Sequence, residues 1–209
     1  MSPHGTDAYR DDDGTLPALV VRAVAAARAH GFAFSCRPEQ GRLLQLLAAG
    51  ASHGIAETGT GCGVGLAWLA SGARPGTRLV SVERDAERVR VAREVFRDRP
   101  EVEILHGDWR RVEEHRPYDL LVLDGGGQAK GDGAADPTRL LAPSGTLVVD
   151  DFTPATTWPP LFDGVPDRAR LHWLEHPALR SSELRLAPDL AAIVGTRLPD
   201  GPATRRRPR

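Results

Sequence analysis

At 209 residues, with 41% hydrophobic content and a formal net charge of −1, the chain is long enough for one globular domain with a packed core, and its charge balance offers no basic surface for nucleic acid. Its two cysteines, Cys36 and Cys62, sit outside any Cys-x-x-Cys pair, which argues against a disulfide framework or zinc site, and no run approaches the ~20 apolar residues of a membrane span. Residues 1–15 are polar and carry Asp11-Asp12-Asp13 where a leader would be apolar, so a cytoplasmic protein is expected.

Two helices are predicted first, over 16–30 (Ala/Val/Arg-rich) and over 38–49, the second with Pro38 in its first turn. Strands and helices then alternate: strand 54–57, helix 64–71, strand 78–83, helix 85–97, strand 102–106, a short helix, strand 118–124, a helix near 136–141 and strand 145–150. The unbroken apolar core Leu120-Leu121-Val122-Leu123 argues for a parallel sheet covered on both faces, hence a doubly wound α/β domain. Residues 152–166, rich in Pro and Thr, read as a long loop over the site, where Trp158, Phe152 and Phe162 either meet an aromatic or apolar ligand or pin the loop down. A helix over 167–179 and two alternating β runs, 182–186 and 190–197, close the chain. The expected organisation is an N-terminal helical segment and tail (1–33), one cofactor-binding domain (34–198) and a frayed basic tail (199–209).

Between the first strand and its helix lies Glu57-Thr58-Gly59-Thr60-Gly61-Cys62-Gly63-Val64-Gly65, an acidic residue followed by alternating glycines. Glycines there permit positive φ and close ligand approach, so a nucleotide-cofactor loop is expected. A dinucleotide fingerprint fails, because its three frames place Val64, Leu66 and Trp68 where Gly or Ala is required, and no Gly-Lys-Ser/Thr follows for a P-loop. Ligands of open α/β sheets bind beyond the carboxyl ends of the strands. There Glu83 ends the second strand, where its carboxylate could accept from two ribose hydroxyls or cap the next helix; His106-Gly107-Asp108-Trp109 ends the third. Asp124 ends the fourth strand and Asp150-Asp151 the fifth. With neighbouring strands about 4.8 Å apart, these oxygen ligands suit Mg²⁺ or a similar divalent cation. Alternatively, Asp124 orients substrate or cofactor while Asp150 and Asp151 cap the following loop.

The set Pro38-Glu39-Gln40-Gly41, Glu57-x-Gly59, Glu83, Leu-Asp124 and Val-Asp150-Asp151 resembles the class I S-adenosylmethionine (SAM) methyltransferases, and within them the cation-dependent O-methyltransferases of the catechol and caffeoyl-coenzyme A type. The resemblance spans roughly 34–197. It implies a Rossmann-like seven-stranded sheet with a C-terminal antiparallel hairpin. It also implies SAM held by Glu57, Gly59, Thr60, Gly61, Cys62, Gly63, Gly65, Glu83, Arg84, Gly107, Asp108, Trp109 and Asp124, with Trp109 against the adenine or else simply covering the sheet edge. Asp124, Asp150 and Asp151 would hold a divalent cation such as Mg²⁺. The implied acceptor is a small molecule, an aromatic hydroxyl in the catechol type, and dimerisation through the N-terminal helices is a family expectation. The chain departs from the pattern at Asp151, where Asn is usual, and at Gly125-Gly126-Gly127, after which the expected lysine is displaced to Lys130, the only lysine here. Lys130 and Asp124 are the catalytic candidates, Lys130 either as the base or, flanked by Gly131 and Gly133, as a solvated loop residue. Two rival readings stand beside this one: a metal-independent methyltransferase acting on nitrogen or a carboxylate, and a SAM-binding protein without turnover.

Overall fold

The computed structural model describes residues 4–9, 14–124 and 134–199, with the Asp151 side chain outside the described part. Helices α1 (Ala18–Ala29) and α2 (Pro38–Ala48) precede β1 (Gly54–Thr58), α3 (Val64–Gly72), β2 (Arg78–Glu83), α4 (Ala86–Val95) and β3 (Val102–His106). A 3₁₀ helix (Trp109–His115), β4 (Tyr118–Leu123), α5 (Pro137–Leu140) and β5 (Leu141–Phe152) follow. A two-stranded hairpin β6 (Leu161–Phe162)/β7 (Val165–Pro166), α6 (Arg168–Leu174), β8 (Leu179–Ala187) and β9 (Leu190–Arg197) complete the chain.

The main sheet runs β3-β2-β1-β4-β5-β9-β8, with β1 to β5 parallel and β9 antiparallel to both its neighbours. This is the doubly wound seven-stranded sheet with a C-terminal hairpin that the sequence predicted. Side-chain alternation divides the core in two, as period-two strands require. Ile55, Leu79, Leu120, Val122 and Val148 pack under the N-terminal helices with α3 and α4. Their sequence neighbours Ala56, Val80, Leu121, Leu123 and Val149 pack on the other face around Trp173 of α6.

Local chemistry fixes the element ends. Asp85 caps α4 by accepting from the Glu87 and Arg88 amides at 2.9 and 3.0 Å, and Asp167 caps α6 by accepting from Arg170 N at 3.0 Å. The last helix stops at Leu174, short of the predicted 179, because Pro177 cannot continue it. The first strand, built with Gly54 and Ala56, is wholly buried. A Cβ on Gly54 would lie 3.3 Å from Tyr118 Cδ1, so the small residue reflects a tight neighbour. β5 starts at Leu141, upstream of the predicted 145, bulges between its pairings with Tyr118 and Leu120, and holds Ser144 at φ 65. Residues 152–166 contain the β6/β7 hairpin instead of a bare loop. Phe152 anchors the start of this segment, buried in the second core with the Arg170 guanidinium 4.9 Å from its ring, whereas Trp158 (71% exposed) and Phe162 (67%) face solvent and do not pin it.

Candidate active site

The strand order reverses between β1 and β4, which opens a crevice at the carboxyl ends of these strands. The chain leaving β1 is tied to both flanking strands: Gly59 N donates to Val82 O at 2.8 Å, Asp124 N to Thr58 O at 3.2 Å, and Thr58 Oγ1 to Asp124 O at 3.1 Å. Gly59, Gly61 and Gly63 take φ of 85°, 55° and 94°, a region costing an L-residue roughly 1–2 kcal/mol each. Gly65 is required for another reason. Its φ is ordinary, but a Cβ there would sit 2.4 Å from Glu57 Oε1.

Glu57 is buried at the end of β1 and accepts a hydrogen bond from Ser81 Oγ at 2.8 Å; that hydroxyl lies 2.6 Å from Thr60 Oγ1. Burial pushes the Glu57 carboxyl up to about 8, against the pull of the Ser81 hydroxyl and with the help of the Asp150 and Glu83 charges. Glu83, at the end of β2, accepts from Gly61 N at 2.8 Å and Asp85 N at 2.9 Å, with Arg88 Nη1 3.7 Å away. It therefore braces the glycine turn directly, while capping of α4 falls to Asp85. Cys62 is buried, and its thiol is pushed up to about 11 by that burial, which leaves it an inert packing group.

Of the remaining predicted cofactor residues, Arg84 is exposed, with its carbonyl 3.1 Å from His106 Nε2, and Gly107 N donates to Glu83 O at 2.9 Å. Asp108 caps the 3₁₀ helix, accepting from Arg110 N at 3.1 Å, and this amide holds its carboxyl below the usual range. Trp109 is half-buried against the second core, with the Arg110 guanidinium 4.9 Å from its ring.

Asp124 and Asp150 are buried side by side, because Leu123 and Val149 are register partners in β4 and β5. Gln40 of α2, itself buried, donates from Nε2 to Asp150 Oδ2 at 2.5 Å. Lys130 and Gly125-Gly126-Gly127 lie outside the described residues, as does the Asp151 side chain. Among the described residues no group of three or more His, Cys, Asp and Glu side chains gathers as a metal cluster. His172 and His176 pack around Trp173 on α6, with ring centroids 4.7 and 6.3 Å from it.

Sequence reasoning missed the segment between α1 and α2. Phe32, Phe34 and Cys36 line a narrow cleft of about 10 Å³ together with Glu57, the glycine turn and Asp124. Phe32 lies against Gly61, where a Cβ would come within 2.8 Å of its ring, and carries the Arg88 guanidinium at 4.9 Å. The Cys36 thiol is pushed well up by burial and by the nearby Asp124, Glu57 and Asp150 charges. The N-terminal residues clamp this segment: Thr6 Oγ1 donates to Phe32 O at 2.6 Å, and Tyr9 OH to Cys36 O at 2.7 Å. The only local signal for it was its position just before Pro38-Glu39-Gln40-Gly41.

Strand order, glycine turn and strand-end acids together define the class I methyltransferase fold, and the known proteins agree. A family model described as a methyltransferase domain matches residues 56–152. A Mycobacterium tuberculosis (strain H37Rv) protein named "Probable O-methyltransferase Rv1220c" is 30% identical over 154 residues, covering 69% of this chain and 69% of its own. The fold matches that of the SAM-complexed O-methyltransferase TomG of Streptomyces achromogenes, involved in tomaymycin synthesis (TM-score 0.72, 20% identity, 88% of this chain and 92% of that one). It also matches the Bacillus cereus O-methyltransferase solved in complex with SAH (TM-score 0.67, 22% identity, 92% and 94% coverage). The chain belongs to the O-methyltransferase family of class I, SAM-dependent methyltransferases.

Proposed function

We propose that this protein transfers a methyl group from SAM to a hydroxyl oxygen of a small, aromatic acceptor. The observation that carries the reading is the row of buried acids, Glu57, Glu83, Asp124 and Asp150, along the carboxyl edge of β2-β1-β4-β5 beside the left-handed glycine turn. When bound, SAM supplies an activated methyl group on a cationic sulfonium. Gly59, Gly61 and Gly63 would let the backbone approach the cofactor closely, and Glu57 and Glu83 would face it with the sign of charge that a cationic ligand needs. Glu57, protonated in the ligand-free site at neutral pH, would lose its proton as a cation arrives beside it. Phe32 and Phe34 would offer an aromatic acceptor flat apolar contact and exclude water. Alignment of the acceptor oxygen is the main catalytic task, and it falls to Asp124 and Asp150. Lys130 is the proposed base.

Buried carboxylates are oxygen donors of the kind a hard divalent cation takes, so Asp124, Asp150 and Asp151 would hold one, and such an ion would lower the pKa of the acceptor hydroxyl. A metal-independent variant of the same reaction is favoured by one contact, the Gln40 amide already bonded to an Asp150 oxygen. Methyl transfer to a panel of catechols and phenols, run with Mg²⁺, with EDTA and with Asp150→Ala, tests both. Turnover abolished by EDTA and by the substitution supports the cation reading. Turnover that survives EDTA but not Asp150→Ala supports the metal-independent one, and no SAM binding by calorimetry would sink the function altogether.

A further inference from the structure

The quartet Pro38-Glu39-Gln40-Gly41 has a mechanical role in this fold. Pro38 occupies the start of α2, where an amide needs no intrahelical partner. Gly41 lies flat against α3: a Cβ there would sit 2.1 Å from Trp68 Nε1, so only glycine lets the two helices come this close. The Trp68 indole is fixed in turn, donating to Tyr9 OH at 2.8 Å. Arg37, at the cap of α2, bonds Asp189 Oδ1 at 2.9 Å in the β8–β9 turn. The first turn of α2 is thus anchored on two sides, and it carries Gln40 to the end of β5, 110 residues away in sequence. There the amide meets Asp150 at 2.5 Å, with Gln40 3% and Asp150 7% exposed. A buried hydrogen bond to a carboxylate is charge-assisted and short, and it fixes the plane of the group that accepts it.

We propose that Gln40 is a positioning residue for methyl transfer: by holding one oxygen of Asp150 it sets the orientation in which that carboxylate meets the acceptor. This rests on the reading of Asp150 as an acceptor-side residue. In this reading Gln40 acts only through Asp150, without contacting cofactor or acceptor. Its effect therefore appears in turnover and acceptor KM, and SAM affinity stays as it is.

The test uses the full chain with three substitutions. Gln40→Met keeps the length and volume of the side chain but removes the donor, Gln40→Lys keeps a donor, and Asp150→Ala removes the group being held. The expected result for Gln40→Met is a fall in kcat/KM for the acceptor of about tenfold or more, as for other residues that orient a ligating group. Its SAM dissociation constant should stay within about twofold and its melting temperature near wild type, and Gln40→Lys should recover most of the loss. Crystal structures supply a readout free of any acceptor: the Asp150 carboxylate should be rotated in Gln40→Met and native in Gln40→Lys. A native Asp150 rotamer in Gln40→Met, or wild-type turnover by that variant alongside an inactive Asp150→Ala, overturns the proposal. Equal losses in Gln40→Met and Gln40→Lys, with SAM affinity falling in step, reduce Gln40 to packing and overturn it too. Full activity in Asp150→Ala would instead remove the acceptor-side reading on which the proposal stands.

Discussion

The buried Glu57 makes the ligand-free protein less stable as pH rises, opposite to the trend a salt-bridged carboxylate gives. Its folded value, about 8, lies above the ordinary 4.5. Its contribution is therefore fully present below pH 4.5 and is lost as pH rises through about 8. Between those limits the unfolded chain has released a proton that the folded chain keeps. Stability then falls by about 1.4 kcal/mol per pH unit, or about 3 kcal/mol from about pH 5.5 to about pH 7.5. Glu57→Gln keeps the shape and an oxygen to accept from Ser81 but cannot ionise. Urea unfolding of the ligand-free wild type and of Glu57→Gln across this range should give curves that converge at the acid end and diverge by that amount at the alkaline end, with the variant more stable. Because a bound cation favours the ionised carboxylate, SAM affinity of the wild type should rise over the same interval, and that of the variant should not. Parallel unfolding curves for the two proteins would refute the argument, since the difference isolates Glu57 from every other titrating group.

Three further outcomes follow from packing. Gly41→Ala should destabilise by about 1–3 kcal/mol by denaturant titration, because the new methyl meets the Trp68 indole nitrogen at 2.1 Å; a neutral result would mean that α2 and α3 separate freely. Gly61→Ala combines a left-handed φ of 55° with a contact to Phe32, so SAM affinity measured by calorimetry should fall, and an unchanged dissociation constant would remove the glycine turn from the cofactor site. Arg170 is buried between Asp167, at 3.1 Å, and Glu183, at 2.5 Å, and also donates to Thr153 O. Arg170→Met leaves two carboxylates without their cation and should cost about 3–5 kcal/mol in thermal or denaturant unfolding, whereas a loss below about 1 kcal/mol would show that solvent reaches the pair.

The sequence by itself determined the sheet and the places where chemistry could occur. Apolar runs such as Leu120-Leu121-Val122-Leu123 mark strands buried on both faces, and strand-to-helix alternation commits them to parallel pairing; the glycines after Glu57 and the acids at strand ends follow from local geometry alone. What only the tertiary structure decided depends on groups far apart in the chain meeting in a space without water. The segment holding Phe32 and Cys36 lines the crevice at the strand ends because Thr6 and Tyr9 clamp it there, and no periodicity announces that. Gly65 looks like one more turn glycine until the Glu57 carboxyl is seen against it, and Gln40 looks like a polar helix residue until α2 lies on α3. Of the three aromatics legible as anchors only Phe152 is buried, under Arg170; Trp158 and Phe162 stand in solvent, and the other ties at the base of that loop come from Arg170 and Glu183. Protonation of Glu57 belongs to the same class of fact: desolvation is set by everything packed around a group, and a residue's neighbours in sequence are the least part of that surrounding.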